Sequence, residues 1–151
     1  KTETTPIFGG QIENFDDYLG QAQERRPYGL ENGVLDALIH NYGCEYPGVL
    51  KYIDENPDLA HRVANTKVLR AEIIHAVREE MAEKLGDVVF RRTDLGTGCH
   101  PGEDALQECA RLMASESGWD EDRAKKETDE VRKHFLRHGV VAKGHPCGAA
   151  P

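Results

Sequence analysis

The stretch LRAEIIHAVREEMAEKL, residues 69–85, has the strongest apolar periodicity in the chain. The apolar side chains that recur there every four residues are Leu69, Ile73, Val77, Met81 and Leu85. Ile74 and Ala76 widen the same stripe, which places the apolar groups on one side of an α-helix. We therefore predict one long core-facing helix over this stretch, with a break near Gly86 and Asp87.

Three shorter helical patterns precede this stretch. Residues 16–17 are both Asp and suit the first turn of a helix, where negative charge complements the helix dipole, and Pro27 ends that helix. A second apolar stripe covers residues 30–42. Pro47 suits the first position of a third helix, which ends before Pro57 because the residue preceding a proline avoids helical geometry.

Two further helices follow, the first closed by Gly118 and the second capped by Asp120. The fold class is therefore all-α, a bundle of about five to seven helices, with its helical domain over residues 14–138. Residues 1–13 are poor in helix formers and are expected to form an extended N-terminal linker from an upstream domain. Residues 139–151 gather Gly and Pro and are expected to form a loose C-terminal tail.

Composition limits the classes of function. The chain has 151 residues, 19 basic and 27 acidic, and a net charge of −8 with no basic cluster, which argues against nucleic-acid binding. No long apolar run or signal peptide is present, and the first residue is Lys, so we expect a soluble piece of a longer chain. Four irregularly spaced cysteines favour a reducing cytosol over a disulfide framework, and they are Cys44, Cys99, Cys109 and Cys147.

Two groups of residues raise the possibility of a metal site. Glu72 and His75 have the Glu-x-x-His spacing of carboxylate-bridged di-metal bundles, but a second copy of that motif is missing. We therefore interpret this pair as part of a solvated helix face. Residues 99–100 (Cys-His) and 145–147 (His-Pro-Cys) contain zinc-ligand types, yet they lack the local Cys-x-x-Cys or His-x-x-x-His clip.

A nucleotide-binding loop is also missing from the sequence, since neither Gly-x-Gly-x-x-Gly after a strand pattern nor a Walker loop occurs. An FAD site cannot be built from these residues alone. The most suggestive polar cluster is Arg91, Arg92 and Thr93. Paired guanidinium groups bind carboxylates or phosphates, but at a helix end they also complement the helix dipole, and both interpretations stay open.

The segment LRAEIIHAVREEMA at residues 69–82, followed by LGDVVFRRT at residues 85–93, resembles the C-terminal helical domain of FAD-dependent glycerol-3-phosphate dehydrogenases. Further pieces match that domain in the same order along the chain, and they are Thr5 to Gly10, Tyr42-Gly43 with Tyr46, Met113-Ala114 and Gly118-Trp119-Asp120. The resemblance covers roughly residues 5–138.

The resemblance implies a parent enzyme that oxidises glycerol 3-phosphate to dihydroxyacetone phosphate at FAD and passes electrons to a quinone or to oxygen. FAD and most substrate contacts would belong to a missing N-terminal FAD domain. This chain would then be a non-catalytic cap without catalytic, cofactor-binding or metal residues, and Arg91, Arg92 and Thr93 would lie at the domain interface. Self-association, a cytoplasmic location and peripheral contact with the inner face of the membrane are weaker implications.

The main alternative comes from a different class of function. A free-standing helical protein-interaction module needs only an acidic, well-capped bundle and no enzyme. A glycine-rich βαβ unit encoded upstream of Lys1 would distinguish the flavoenzyme hypothesis from this one.

Overall fold

The computed structural model of the chain describes residues 9–139. Within this range the helices are α1 (Phe15–Arg25), α2 (Asn32–Tyr42), α3 (Tyr46–Glu55), α4 (Arg70–Arg78), α5 (Leu85–Asp87), α6 (Glu103–Ser117) and α7 (Glu121–Arg137). The one β-type contact in the described part is an isolated antiparallel bridge between Arg62 and Leu69. The predicted all-α bundle is confirmed. The expectations for the first eight residues and for the tail, including His145 and Cys147, fall outside the described residues.

Local capping chemistry determines several helix ends. The Asn14 side chain accepts hydrogen bonds from the backbone N–H groups of Asp16 and Asp17, at 3.1 and 3.3 Å, and starts α1. Asp120 accepts from the Arg123 N–H at 2.8 Å and starts α7. Gly118 ends α6 in the left-handed conformation, with φ 66°. These three ends agree with the predictions from the sequence.

The prediction of one long helix over residues 69–85 is wrong. Helix α4 ends at Arg78, and Met81 has φ 56° and a side chain that is 81% exposed. The Asp87 carboxylate accepts from the N–H groups of Glu83 and Lys84, at 3.2 and 3.0 Å, and so caps a second helical segment. The break therefore precedes Gly86, because this new cap outweighs the continuing apolar period.

The second segment changes its helical geometry soon after it begins. Helix α5 passes directly into a π-helical turn, Val88–Arg92, and Thr93 closes that turn with its N–H on the Val88 carbonyl at 3.1 Å. Leu85 and Val88 are fully buried, so this segment still supplies core residues. The apolar pattern predicted burial correctly at Leu85 although it predicted the wrong helix.

The core lies where α4 packs against α3 and α6, while α7 covers α5 and α6 and α1 packs on α2. Burial of these apolar side chains supplies the main driving force for folding. The fully buried residues at its centre include Leu35, Leu38, Ile39, Val49, Leu69, Ile73, Leu85, Leu106 and Met113. Within residues 9–139, no helix has both the length and the apolar character needed to cross a bilayer.

The cysteines differ from the expectation of four reduced thiols. Cys44 and Cys109 are free, whereas Cys99 is disulfide-bonded, which corrects that expectation for this residue. Cys109 is buried in α6, and burial raises the pKa of its thiol well above the usual range. A thiol held in that protonated state is a poor nucleophile, so Cys109 acts as a small apolar core residue.

Candidate functional site

The predicted polar cluster lies at the end of the π-helical turn, a geometry often found at functional sites. Arg91 is 74% exposed and donates to the Asp87 carboxylate at 3.1 Å. Arg92 is also exposed, and no carboxylate of the described residues lies within ion-pair distance of it. Thr93 is buried, and its hydroxyl donates to the Val88 carbonyl at 2.7 Å. Arg92 is therefore free to meet a partner, Arg91 is exposed but paired with Asp87, and Thr93 stabilises the turn.

These residues line a shallow depression of about 250 Å³. It lies where the end of α2, the loop after α4 and the end of the π-helical turn meet. The Asn41 side chain donates to Asp94 at 3.0 Å and joins α2 to the loop that follows the turn. We call this surface the docking face and define it by Asn41, Tyr42, Glu80, Arg91, Arg92, Thr93 and Asp94.

Glu72 lies beneath the docking face. Its side chain is 2% exposed, so the interpretation of Glu72 as part of a solvated helix face is wrong. One carboxylate oxygen, Oε1, accepts from the Leu69 N–H at 2.8 Å, and the other, Oε2, has no hydrogen-bond partner in the described structure. Burial is the main cause that raises the pKa of Glu72 to about 8.

A cavity of about 310 Å³ connects Glu72 with the docking face. Asn41 and Asp94 line both the cavity and the docking face, so their hydrogen bond forms a shared wall. Thr66 and Val68 lie on the other side of the cavity. A buried carboxyl group thus faces a space that opens towards an exposed polar surface.

Other buried polar atoms near Glu72 also lack partners within residues 9–139. They are Tyr42 Oη, His75 Nδ1 and Glu80 Oε2. The Tyr42 and His75 rings meet edge to face, with centroids 5.5 Å apart. Burial raises the pKa of the Tyr42 hydroxyl and lowers the pKa of His75, so both groups are held uncharged at neutral pH.

Within residues 9–139, the structure arranges no further side chains with Glu72 and His75 to hold a metal ion. Glu72 has one oxygen engaged by Leu69, and no group of three His, Cys, Asp or Glu side chains in the described part of the chain is arranged to hold a metal ion. Cys99 is disulfide-bonded, and the His100 Nδ1 accepts from the Gly102 N–H at 3.0 Å. In the described structure Glu72 caps the start of α4, and the His75 ring packs against Tyr42.

The described residues do not fit FAD. Residues 96–102 are rich in Gly and lead into α6, which is the general arrangement that binds phosphate at a helix N-terminus. The first turn of α6 carries Glu103 and Asp104, however, and α1 and α7 also begin with acidic residues. Negative charge at these positions repels a diphosphate, so no chemical step is assigned to FAD on this chain.

Sequence reasoning found the arginines but missed the buried carboxyl group below them. Helical spacing places Glu72 beside Ile73 without saying which other helix covers it. One local signal was available, because Glu72 lies three residues after Leu69, the spacing of a side chain that caps a helix N-terminus. Asp94 and Glu80 lie close enough to Glu72 to raise its pKa, and no local sequence pattern predicts this tertiary arrangement.

The chain matches known proteins over most of its length. It is 30% identical over 135 residues to a protein of Dictyostelium discoideum named probable glycerol-3-phosphate dehydrogenase, mitochondrial, and the match covers 89% of this chain and 21% of that protein. It is 24% identical over 141 residues to a glycerol-3-phosphate dehydrogenase of Synechocystis, covering 92% of this chain and 25% of that protein. No solved structure matches.

The chain therefore spans about a fifth to a quarter of the length of these curated relatives. A family model described as the C-terminal domain of alpha-glycerophosphate oxidase matches residues 1–124. This match covers most of the chain and includes α1 to α6 together with the docking face. The chain belongs to the family of C-terminal domains of alpha-glycerophosphate oxidase.

Proposed function

We propose that this chain is the C-terminal cap domain of an FAD-dependent glycerol-3-phosphate dehydrogenase that oxidises glycerol 3-phosphate to dihydroxyacetone phosphate. Family membership is the observation that carries the proposal. The two curated relatives are both named glycerol-3-phosphate dehydrogenases, and about three quarters or more of each lies outside the match. These observations favour a cap domain over a free-standing helical interaction module.

In this proposal the chain is not catalytic by itself. Oxidation of the substrate alcohol needs an acceptor for two electrons, and FAD supplies that chemistry when it is bound to the upstream domain. The helix N-termini of α1, α6 and α7 are acidic, which supports placing the FAD diphosphate elsewhere. The electron acceptor that reoxidises the flavin, a quinone or oxygen, also reacts at the upstream domain.

The cap is proposed to contact the upstream FAD domain through the docking face, with Arg91 and Arg92 as contact residues and Thr93 as support for the turn. Two features favour this face, namely the exposed arginines and the unpartnered carboxyl oxygens below them. Residues 1–13 would be the linker, residues 14–138 the cap and residues 139–151 a tail. Self-association of the parent would then use another surface.

The compartment is also part of the proposal. We place the parent in the cytoplasm, with peripheral contact to the inner face of the membrane through its upstream domain. The Dictyostelium relative is named a mitochondrial protein. Cell fractionation of the parent with a salt wash distinguishes a cytosolic protein from one attached to the surface of a membrane.

Turnover measurements test the proposed function. The intact parent should reduce an artificial electron acceptor when glycerol 3-phosphate is added, whereas this chain alone should not. Circular dichroism of the isolated chain controls for its helical content. Oxidation of glycerol 3-phosphate by the isolated chain would refute the division of labour, and an inactive parent that retains flavin would refute the assigned substrate.

A further inference from the structure

We propose that a basic side chain of the upstream domain inserts into the space between Glu72, Glu80 and Asp94 and pairs with their carboxylate oxygens. We call these three residues, with Asn41 and Tyr42, the carboxylate pocket. The inference rests on the proposed function, because it needs an upstream domain in the same polypeptide.

The first support is the unmet hydrogen-bonding capacity of the pocket. Glu72 Oε2, Glu80 Oε2 and Tyr42 Oη are buried and form no hydrogen bond of ordinary geometry within residues 9–139, and the Tyr42 hydroxyl interacts with the Glu72 carboxyl only closely enough to lower its pKa. A buried polar group without a partner destabilises a folded protein, and such groups are uncommon. Glu72 lines the cavity, and Tyr42 and Glu80 line the adjoining depression, so these atoms lie around a shared wall that a group from outside these residues could complete.

The second support is the kind of group that is missing. A carboxylate only accepts hydrogen bonds, and a protonated Glu72 and the Tyr42 hydroxyl each bring a single donor, so three carboxyl groups still leave a local excess of acceptors. Asn41 is a donor in the pocket, and it already donates to Asp94. A guanidinium or ammonium group supplies several N–H donors together with the opposite charge, and its bonds to carboxylates are the strong, charge-assisted kind.

Among residues 9–139, no basic side chain fills the pocket. Arg91 is paired with Asp87 on the outer side of the turn. Arg92 and Lys67 are exposed at the rims of the docking face and of the cavity, and neither forms an ion pair with Glu72, Glu80 or Asp94. Burial raises the pKa of Glu72 to about 8, and a hydrogen bond from the Leu69 N–H and the nearby Tyr42 hydroxyl lower it only in part, so a cation that enters the pocket should lower this pKa further.

The path of the polypeptide indicates where the basic group comes from. The Gly9 carbonyl accepts from the Cys44 N–H at 3.0 Å, which fixes the start of the described chain beside the end of α2. Gly9 and Ile12 line a third cavity, of about 470 Å³, together with Tyr42 and Glu80. The described part of the chain therefore begins next to the carboxylate pocket.

Carboxyl labelling of the intact parent tests the inference. A carbodiimide with an amine nucleophile modifies accessible Asp and Glu side chains, and mass spectrometry gives the rate at each residue. Asp94 and Asp104 are both exposed in the isolated domain. In the parent, Asp94 should be labelled severalfold more slowly than Asp104. Equal rates would mean that the face is open and would overturn the inference.

Reversing the charge of Asp94 distinguishes a basic partner from an apolar partner or a second copy of the chain. Asp94→Lys in the parent should raise labelling of Glu80 severalfold, while Asp104→Lys on α6 should leave it unchanged. Persistent protection of Glu80 in Asp94→Lys, or protection that appears only at high protein concentration, would overturn the inference in favour of an apolar cover or a second copy. Turnover of the same samples tests the proposed function separately from the labelling. An active parent whose pocket is open to the reagent would therefore refute this inference and leave the proposed function intact.

Discussion

Two buried glutamates hold backbone N–H groups at the starts of helical segments. Glu72 accepts from Leu69 at the start of α4, and Glu127 accepts from Leu85 at the start of α5, at 3.0 Å. A carboxylate suits these positions because the first N–H groups of a helix have no partner within it. Burial raises the pKa of Glu72 to about 8, so the protonation of this residue is linked to folding.

Glu72→Gln should flatten the dependence of stability on pH. The pKa of Glu72 is about 8 in the folded chain, above its ordinary value of 4.5, so between these values the folded state keeps a proton that the unfolded state has released. The free energy of unfolding therefore falls as pH rises through this window, by at most about 1.4 kcal/mol per pH unit. Gln stays uncharged and removes that decline.

Urea unfolding of both chains across this pH window measures the difference. Burial lowers the pKa of His75, so the unfolded state binds a proton at this residue more readily than the folded state as pH falls below 6.5. The free energy of unfolding then falls with falling pH, which is opposite to the effect of Glu72. This effect of His75 is the same in both chains. Glu24→Gln, on the exposed side of α1, should leave the slope as it is. If the free energy of unfolding depended on pH with the same slope in the unsubstituted chain and in Glu72→Gln, this account would be contradicted.

At the scale of elements, the end of α4 depends on a residue that is unsuited to its backbone conformation. Met81 has φ 56°, in the left-handed region that favours glycine, and the Ala82 N–H donates to the Ala76 carbonyl at 2.9 Å. The reversal directs the chain towards Leu85, which is buried. Packing of α5 thus outweighs the cost of the local strain.

Met81→Gly should stabilise the chain by about 1 kcal/mol, because it relieves the left-handed strain and removes only an exposed side chain. Met81→Ala is the matched control and should bring no such gain, since it keeps the Cβ atom. Thermal unfolding measures both variants. If α4 continued through Met81 as the apolar period predicts, Met81→Gly would instead destabilise the chain by about 1 kcal/mol.

A second element-scale feature ties the loop before α4 to α6. Glu108 on α6 accepts from Arg70 Nε at 2.5 Å and from the Ala64 N–H at 2.9 Å, and Arg70 also pairs with Asp58. Ala64 has φ 47°, so this loop is held in a conformation that needs support. Glu108 provides that support at two points.

Glu108→Ala should lower the free energy of unfolding by about 2–3 kcal/mol, because it leaves the partly buried Arg70 and the Ala64 N–H without their acceptor. Glu116→Ala is the control on the same helix. Glu116 pairs with Arg78 at a more exposed position, so its loss should cost less than about 1 kcal/mol. Equal losses in urea unfolding would contradict the proposed role of Glu108.

Features that depend on interactions between residues close in sequence were predicted, and features that depend on residues far apart in sequence were missed. The helix ends at Asn14, Gly118 and Asp120 were predicted correctly because their caps act within three residues. The break after Arg78 was missed because it depends partly on the bond between Leu85 and Glu127, which are far apart in sequence. The carboxylate pocket was missed for the same reason, since helices and loops distant in sequence form it.

On the scale of the whole molecule, residues 9–139 form a helical body whose docking face has exposed arginines above buried carboxyl groups. Family membership shows that it is a C-terminal domain, and the relatives are about four to five times as long as the match. The docking face combines exposed arginines with buried carboxyl groups, and this combination supports the proposal that it contacts another domain. The proposed role of the domain is therefore to cover and support the upstream domain.

Reversing the charge of both arginines should weaken that interface. In the intact parent, Arg91→Glu with Arg92→Glu should increase the rate at which a protease cuts the linker at residues 1–13, because an undocked cap exposes the linker. Lys133→Glu, at an exposed basic residue of α7, is the control and should leave the rate unchanged. An unchanged rate in the double variant would argue against Arg91 and Arg92 as contact residues.

The flavin content of the intact parent and of this chain, purified from the same host, tests the central claim most directly. The account predicts stoichiometric FAD in the parent, visible in its absorbance spectrum and bleached by glycerol 3-phosphate, and no FAD in the isolated chain. Stoichiometric FAD bound to the isolated chain, or a parent that retains none, would contradict it.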